Sequence, residues 1–201
     1  MLNKYARWIF AEPIARLAAR LHSANVSPNT VTLIGFALTI LSSLIIAAGY
    51  FVWGGLVLWV AALSDMLDGV LARLSKPSTF GAFLDSTLDR YSESATFLAL
   101  AYFYTTQPQQ RTALVLIFFI LVGSLMVSYT RARAEGLNVE CKAGWLQRPE
   151  RVVLVILGLL SGWMLPILWV LAVFTNFTAF QRIYEVYWRT NQQPISVPPP
   201  D

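Results

Sequence analysis

The sequence predicts an all-α integral membrane protein, in which six transmembrane helices follow an N-terminal amphipathic helix lying at the membrane interface. Three observations carry this. Apolar residues make up 56% of the 201 and charged residues only 13%, too few charges to clothe a water-soluble domain of this size. Apolar segments recur over residues 31–49, 52–74, 82–104, 112–133, 149–162 and 164–187, each near the ~20 residues a bilayer requires except the fifth. If all six cross, the N-terminal segment, the linker with Lys76, the stretch from Arg131 to Arg151 and the end with Arg182 and Arg189 share one side. The other side receives Arg111 alone among the loop cations. That asymmetry predicts the cytoplasmic membrane, with both termini on the cytoplasmic side. The net charge of +4 follows this topology and forms no basic and aromatic groove, so nucleic acid is excluded as a partner.

Taken in order, residues 1–24 form the juxtamembrane helix. Tyr5, Trp8, Ile9, Pro13, Ile14, Leu17 and Leu21 alternate there with Lys4, Arg7, Glu12, Arg16 and Arg20, a pattern that suits a membrane surface and no cleavable signal peptide. His22 reads as an exposed linker residue. The membrane domain is expected over 25–189. It opens with Ser27-Pro28-Asn29-Thr30-Val31-Thr32, in which Ser27 caps the first span and Pro28 occupies its first turn. Ser161-Gly162-Trp163 is a weak break between the fifth and sixth segments. Fusing them would leave Arg182 and Arg189 on the wrong side, so two spans are predicted. The tail, residues 190–201, is Pro-rich and expected to be disordered. Cys141 is the single cysteine, which rules out an intramolecular disulfide.

The connection between the second and third spans carries the chemistry. Four of the five aspartates lie between Asp65 and Asp89. Asp65 and Asp68 are three apart, Asp85 and Asp89 four apart, and each spacing sets both carboxylates on one helical face. Ser75-Lys76-Pro77-Ser78 separates the pairs and predicts a helix break, which lets them face each other. Carboxylate oxygens are the ligands that Mg²⁺ and Mn²⁺ prefer, and two facing pairs suit two divalent ions. Gly69, Ala72 and Gly81 leave space beside the acids, and Arg73 is placed to meet an anion. Together these describe a diphosphate site. The same acids would also serve an ion-coupled transporter, which would show ion flux and no chemistry. Glu93 continues the stripe of Gly81, Asp85 and Asp89 one turn on.

The pattern Asp65-x2-Asp68-Gly69-x2-Ala72-Arg73-x7-Gly81-x3-Asp85-x3-Asp89 resembles the signature of the CDP-alcohol phosphotransferase family at every fixed position. The resemblance extends from about Pro28 to the last span. It implies transfer of a phosphatidyl-type group from a CDP-linked lipid to an alcohol, with release of CMP. It further implies metal binding by Asp65, Asp68, Asp85 and Asp89, with Asp89 also the base, and a homodimer. The Pro-Asn-x-x-Thr element is similar to one that borders the nucleotide in this family. Asn29 and Thr32 thereby join Asp68, Gly69, Ala72, Arg73 and Gly81 as expected contacts of the CDP-lipid.

Five cations between Arg131 and Arg151, at the ends of the fourth and fifth spans, suit either membrane anchoring or an anion. The stretches Ser128-Tyr129-Thr130-Arg131-Ala132-Arg133-Ala134-Glu135-Gly136 and Arg148-Pro149-Glu150-Arg151 look like those of the phosphatidylinositol-phosphate and archaetidylinositol-phosphate synthases within the family. The sequence departs from them in having no third basic residue just after Arg151. The resemblance implies a phosphorylated polyol, myo-inositol 1-phosphate, held by Ser128, Arg131, Lys142, Arg148, Arg151 and Arg189, with glycerol 3-phosphate as the alternative acceptor.

Overall fold

The computed structural model describes residues 2–75 and 78–192, with side chains from Glu12 to Asn191. Seven helices occupy the described residues: α1 (Leu2–Ser23), α2 (Pro28–Ala47), α3 (Phe51–Leu74), α4 (Thr79–Thr105), α5 (Arg111–Glu135), α6 (Arg148–Ser161) and α7 (Met164–Gln192). The six expected segments thus appear as α2 to α7. Four of them, α2, α3, α5 and α7, are long and apolar enough to cross a membrane. The other two differ for separate reasons. Asp85, Asp89, Arg90 and Glu93 interrupt the hydropathy of α4, although its 27 residues would reach across. With 14 residues α6 spans only about 21 Å, short of the ~30 Å hydrocarbon core.

The chain divides into two compact units, residues 1–103 and 104–201. In the first, Ser27 caps α2 as expected, accepting the Thr30 N–H at 3.2 Å. A small core of Ala18, Val31 and Leu71 joins α1, α2 and α3, with Leu21, Val26, Leu67 and Val70 around it. Ile14 and Ala18 of α1 are buried while Leu17 is exposed, so the described part of the helix presents one face to α3. Its aromatic residues Tyr5 and Trp8, and Ile9, lie outside the described side chains. Gly54 lets α3 approach α2, since a Cβ there would stand 2.5 Å from Ile46 Cγ1. Phe51 and Phe103 meet edge to face at 4.6 Å and tie the start of α3 to the end of α4.

In the second unit Gly123 of α5 gives the close approach to α7, where an added Cβ would lie 2.5 Å from Thr175 Oγ1. Asn176 donates across the same contact to Phe119 O at 3.1 Å. The break between α6 and α7 falls where Gly162 adopts φ +76, a left-handed conformation that ends α6.

The expected boundary of the tail is corrected. Residues 190–192 continue α7, and the Thr190 hydroxyl donates back to Val186 O at 2.9 Å. Thr190, Asn191 and Gln192 follow Arg189 with no glycine or proline among them to end the helix. Residues 193–201, like Lys76 and Pro77 of the expected break, lie outside the described residues.

Candidate active site

In the first unit α3 delivers Asp65, Asp68, Gly69, Ala72 and Arg73, and α4 delivers Gly81, Asp85 and Asp89. Leu74 ends α3, with Ser75 extended beyond it. Ser78 starts α4 by accepting the Gly81 N–H on its hydroxyl at 2.9 Å. Asp68 is the deepest of the four acids, 5% exposed, while Asp65, Asp85 and Asp89 are half-buried. Asp65 and Asp85 stand close enough to Asp68 for their charges to act on it, so Asp85 of α4 approaches the pair on α3. The Thr32 hydroxyl lies beside the Asp68 carboxylate and donates to Pro28 O at 3.1 Å. Asp68 Oδ2 is buried with no hydrogen-bond partner.

Glycines shape the surroundings. Gly35 of α2 backs onto the site, for a Cβ there would lie 3.2 Å from Asp65 Oδ1 and from Ser64 Cβ. At Gly81 a Cβ would stand 2.8 Å from both Asn29 Oδ1 and Ser78 Oγ, which brings Asn29 to the start of α4. A Cβ at Gly69 would meet nothing within 4 Å, so the helix is open next to Asp68. Ala72 is half-buried and Arg73 exposed. Among the described residues no three acids, histidines or cysteines form a finished metal cage. The donor set nevertheless fits a hard divalent cation. All its atoms are oxygens, and a buried carboxylate oxygen without a partner, flanked by two further carboxylates, calls for positive charge.

The expected acceptor residues all fall in the second unit. Arg151 is 1% exposed and donates through Nη1 to Leu146 O at 3.2 Å. Arg182, 3% exposed, donates to Ala143 O at 2.9 Å and to Val127 O. Arg131 and Arg151 lie close enough to Arg182 for their charges to repel it. Two buried guanidinium groups, with the charges of Arg131 and Glu185 also acting on Arg182, make this part of the unit a place where an anion is favourable. Ser128 and Arg148 are half-buried at the end of α5 and the start of α6.

Arg131 itself, and the expected ligands Lys142 and Arg189, have carboxylate partners. Arg131 Nε donates to Glu135 at 2.8 Å, Lys142 pairs with Glu140, and Arg189 pairs with Glu185 at 2.8 Å and Glu140 at 3.7 Å. The hydrogen bond from Lys142, with its charge, holds the Glu140 carboxyl below its ordinary range. Burial pushes the Cys141 thiol up, in keeping with an inert side chain.

Arg182 is the main residue that sequence reasoning missed, having counted it only as a topological charge. A signal was present. Thr175, Thr178, Arg182, Glu185 and Arg189 are spaced three, four, three and four apart, which is a polar stripe along one face of an apolar helix.

The model of the CDP-alcohol phosphatidyltransferase family matches residues 25–180. A phosphatidylinositol phosphate synthase of Mycobacteroides abscessus is 35% identical over 195 residues, covering 92% of this chain and 89% of its own. An archaetidylinositol phosphate synthase of Methanothermobacter thermautotrophicus is 34% identical over 198 residues, covering 94% and 95%. Among solved structures, the Mycobacterium tuberculosis phosphatidylinositol phosphate synthase with CDP-DAG bound superposes with a TM-score of 0.80 at 30% identity, over 87% of this chain and 93% of that one. The same enzyme has been solved in complex with manganese and citrate, again with a TM-score of 0.80 at 30% identity, over 87% and 88% of the two chains.

Proposed function

The chain belongs to the CDP-alcohol phosphatidyltransferase family, and from that premise we propose that it transfers the phosphatidyl-type group of a CDP-linked lipid to myo-inositol 1-phosphate, releasing CMP. Membership makes it a membrane-embedded transferase and sets aside the transporter reading of its acids. The observation that carries the site is the buried, unpartnered Oδ2 of Asp68 between Asp65 and Asp85, next to the open flank of Gly69. The names of the relatives support the inositol-phosphate acceptor, and the bacterial and archaeal names leave both ester and ether donors open to test.

In this reading Asp65, Asp68, Asp85 and Asp89 hold two divalent ions, Mg²⁺ or Mn²⁺. Such ions would neutralise the diphosphate and stabilise the departing CMP. Arg73 contacts the diphosphate, Asn29 and Thr32 border the nucleotide, Gly69 and Ala72 keep the approach to the acids free, and Gly81 admits Asn29 against the start of α4. Asp89 takes the proton of the acceptor hydroxyl as its oxygen attacks the β-phosphorus and the bond to the CMP oxygen breaks. Arg131, Arg151 and Arg182 hold the acceptor's own phosphate, with Ser128 and Arg148 beside them. Lys142 and Arg189 act at the rim through their carboxylate partners. Both termini and the site face the cytoplasm, where a water-soluble acceptor arrives, and the chain works as a homodimer.

The test is CMP release by the purified chain with Mn²⁺ or Mg²⁺, CDP-diacylglycerol and, in parallel, inositol 1-phosphate, glycerol 3-phosphate, serine or free inositol. Release is expected with inositol 1-phosphate. Release with glycerol 3-phosphate alone would replace the acceptor and keep the reaction. No release with any alcohol, for either ester or ether donor, would end the proposal.

A further inference from the structure

The connection between α5 and α6 is docked along the polar stripe of α7. Glu185 Oε2 accepts the Ala143 N–H at 2.8 Å, Gln181 Oε1 accepts that of Trp145 at 3.3 Å, and Thr178 Oγ1 accepts that of Leu146 at 3.1 Å. The third bond differs from the others in what lies on its far side. Leu146 is held through its N–H by Thr178, and its carbonyl accepts the Arg151 guanidinium at 3.2 Å. Both side chains are sealed, Thr178 at 0% and Arg151 at 1% exposure. Neither bond has water as a substitute partner at hand. Gly144 permits the approach. It sits at φ +141, and a Cβ on it would stand 2.7 Å from Thr178 Cγ2.

We propose that Thr178 is a positioning residue for acceptor recognition: by fixing the Leu146 peptide it fixes a carbonyl to which the Arg151 guanidinium donates, and so helps to orient that guanidinium. A guanidinium binds an oxyanion through a rigid planar fork, so a small rotation of that plane costs affinity without removing the charge. The inference rests on the reading that Arg151 holds the acceptor's phosphate. It adds a residue that touches neither substrate.

The experiment compares Thr178→Val, which keeps the shape and removes the hydroxyl, with Thr178→Ser, which keeps the hydroxyl, in the full chain in lipid nanodiscs. Two quantities are read: amide hydrogen exchange over 144–151, and KM for inositol 1-phosphate and for CDP-diacylglycerol. Thr178→Val should speed exchange at Leu146 and raise the acceptor KM about five- to tenfold, the size of one neutral hydrogen bond, with the CDP-lipid KM unmoved. Thr178→Ser should restore both. Arg151→Lys tests the underlying reading by itself. If it leaves the acceptor KM unmoved, the phosphate assignment of Arg151 fails and Thr178 fails with it. If Arg151→Lys raises the acceptor KM but Thr178→Val does not, or Thr178→Val raises both KM values alike, or exchange over 144–151 is unchanged, positioning by Thr178 is overturned while the assignment of Arg151 stands.

Discussion

Gly69→Ala separates a structural from a substrate-facing role at the centre of the site. Gly69 lies inside α3, directly after Asp68, in ordinary helical conformation, and a Cβ on it would meet nothing within 4 Å. An interior helical glycine replaced by alanine gains about 0.5 to 1 kcal/mol, because less backbone entropy is lost on folding. For a chain of this size that is about 1 to 4 °C in Tm. If Gly69 were only a packing residue, the variant would be slightly more stable and fully active. The proposed donor site requires a different result. The diphosphate must come against the backbone beside Asp68, and a methyl group forced into an occupied site costs about 1 to 3 kcal/mol, on the order of ten- to a hundredfold in kcat/KM for the CDP-lipid. The acceptor KM should not change. Thermal unfolding in detergent and CMP release at varied CDP-diacylglycerol measure both effects on one preparation. A raised Tm together with wild-type kcat/KM for the donor would refute the idea that this flank receives substrate.

Three further outcomes are expected. Asp68→Asn removes a buried charge while keeping shape, so the protein should fold as before and lose nearly all turnover, an amide being a poor Mg²⁺ or Mn²⁺ ligand; near-normal CMP release at ordinary metal concentration contradicts the metal reading. Excess chelator should stop CMP release and added Mn²⁺ or Mg²⁺ restore it, so persistent activity in chelator removes metal from the mechanism. Arg131 is exposed and its loss is tolerable to the fold, so Arg131→Ala should raise the acceptor KM on the order of ten- to a hundredfold, the worth of a charge-assisted contact of about 1.5 to 3 kcal/mol, with the donor KM near wild type. An unmoved acceptor KM in a kinetic titration takes Arg131 out of the phosphate site.

Local rules made much of the fold legible. Ser27 announced the start of α2, because capping depends on a single residue and its immediate neighbours, whereas the break that Gly162 makes after α6 was weak locally and was placed by the balance of charge on either side. The approach of the acids was legible from local spacing as well, since Asp65, Asp68, Asp85 and Asp89 sit at helical spacings on two consecutive helices. Which helices are apolar enough to span was harder. The segment 82–104 read as apolar, yet Asp85, Asp89, Arg90 and Glu93 in α4 lower its hydropathy below that of the four helices apolar enough to cross. The division into two compact units had no sequence marker, because the boundary at Phe103 and Tyr104 falls inside an apolar helix.

The acceptor residues show the limit of reading cations by their density along the chain. Arg131, Lys142 and Arg189 read as ligands of a phosphate, yet Glu135, Glu140 and Glu185 pair with them, and the spacings of Arg131 with Glu135 and of Glu185 with Arg189 are those of ordinary helical ion pairs. Arg182 looked like a topological charge, yet it is buried with its guanidinium on the carbonyls of Ala143 and Val127. What distinguishes them is what each meets across the unit, and that depends on how far the 136–147 connection folds back onto α7. Periodicity still carries the information once the helix is known. A polar residue every third or fourth position through an apolar run commits one face of α7 to the interior, and Arg182, midway along that face, is sealed from water. A guanidinium placed there must be satisfied by backbone carbonyls or by an anion, and Arg182 has the carbonyls of Ala143 and Val127, so the polar stripe, more than the count of basic residues, explains how α7 keeps a buried charge.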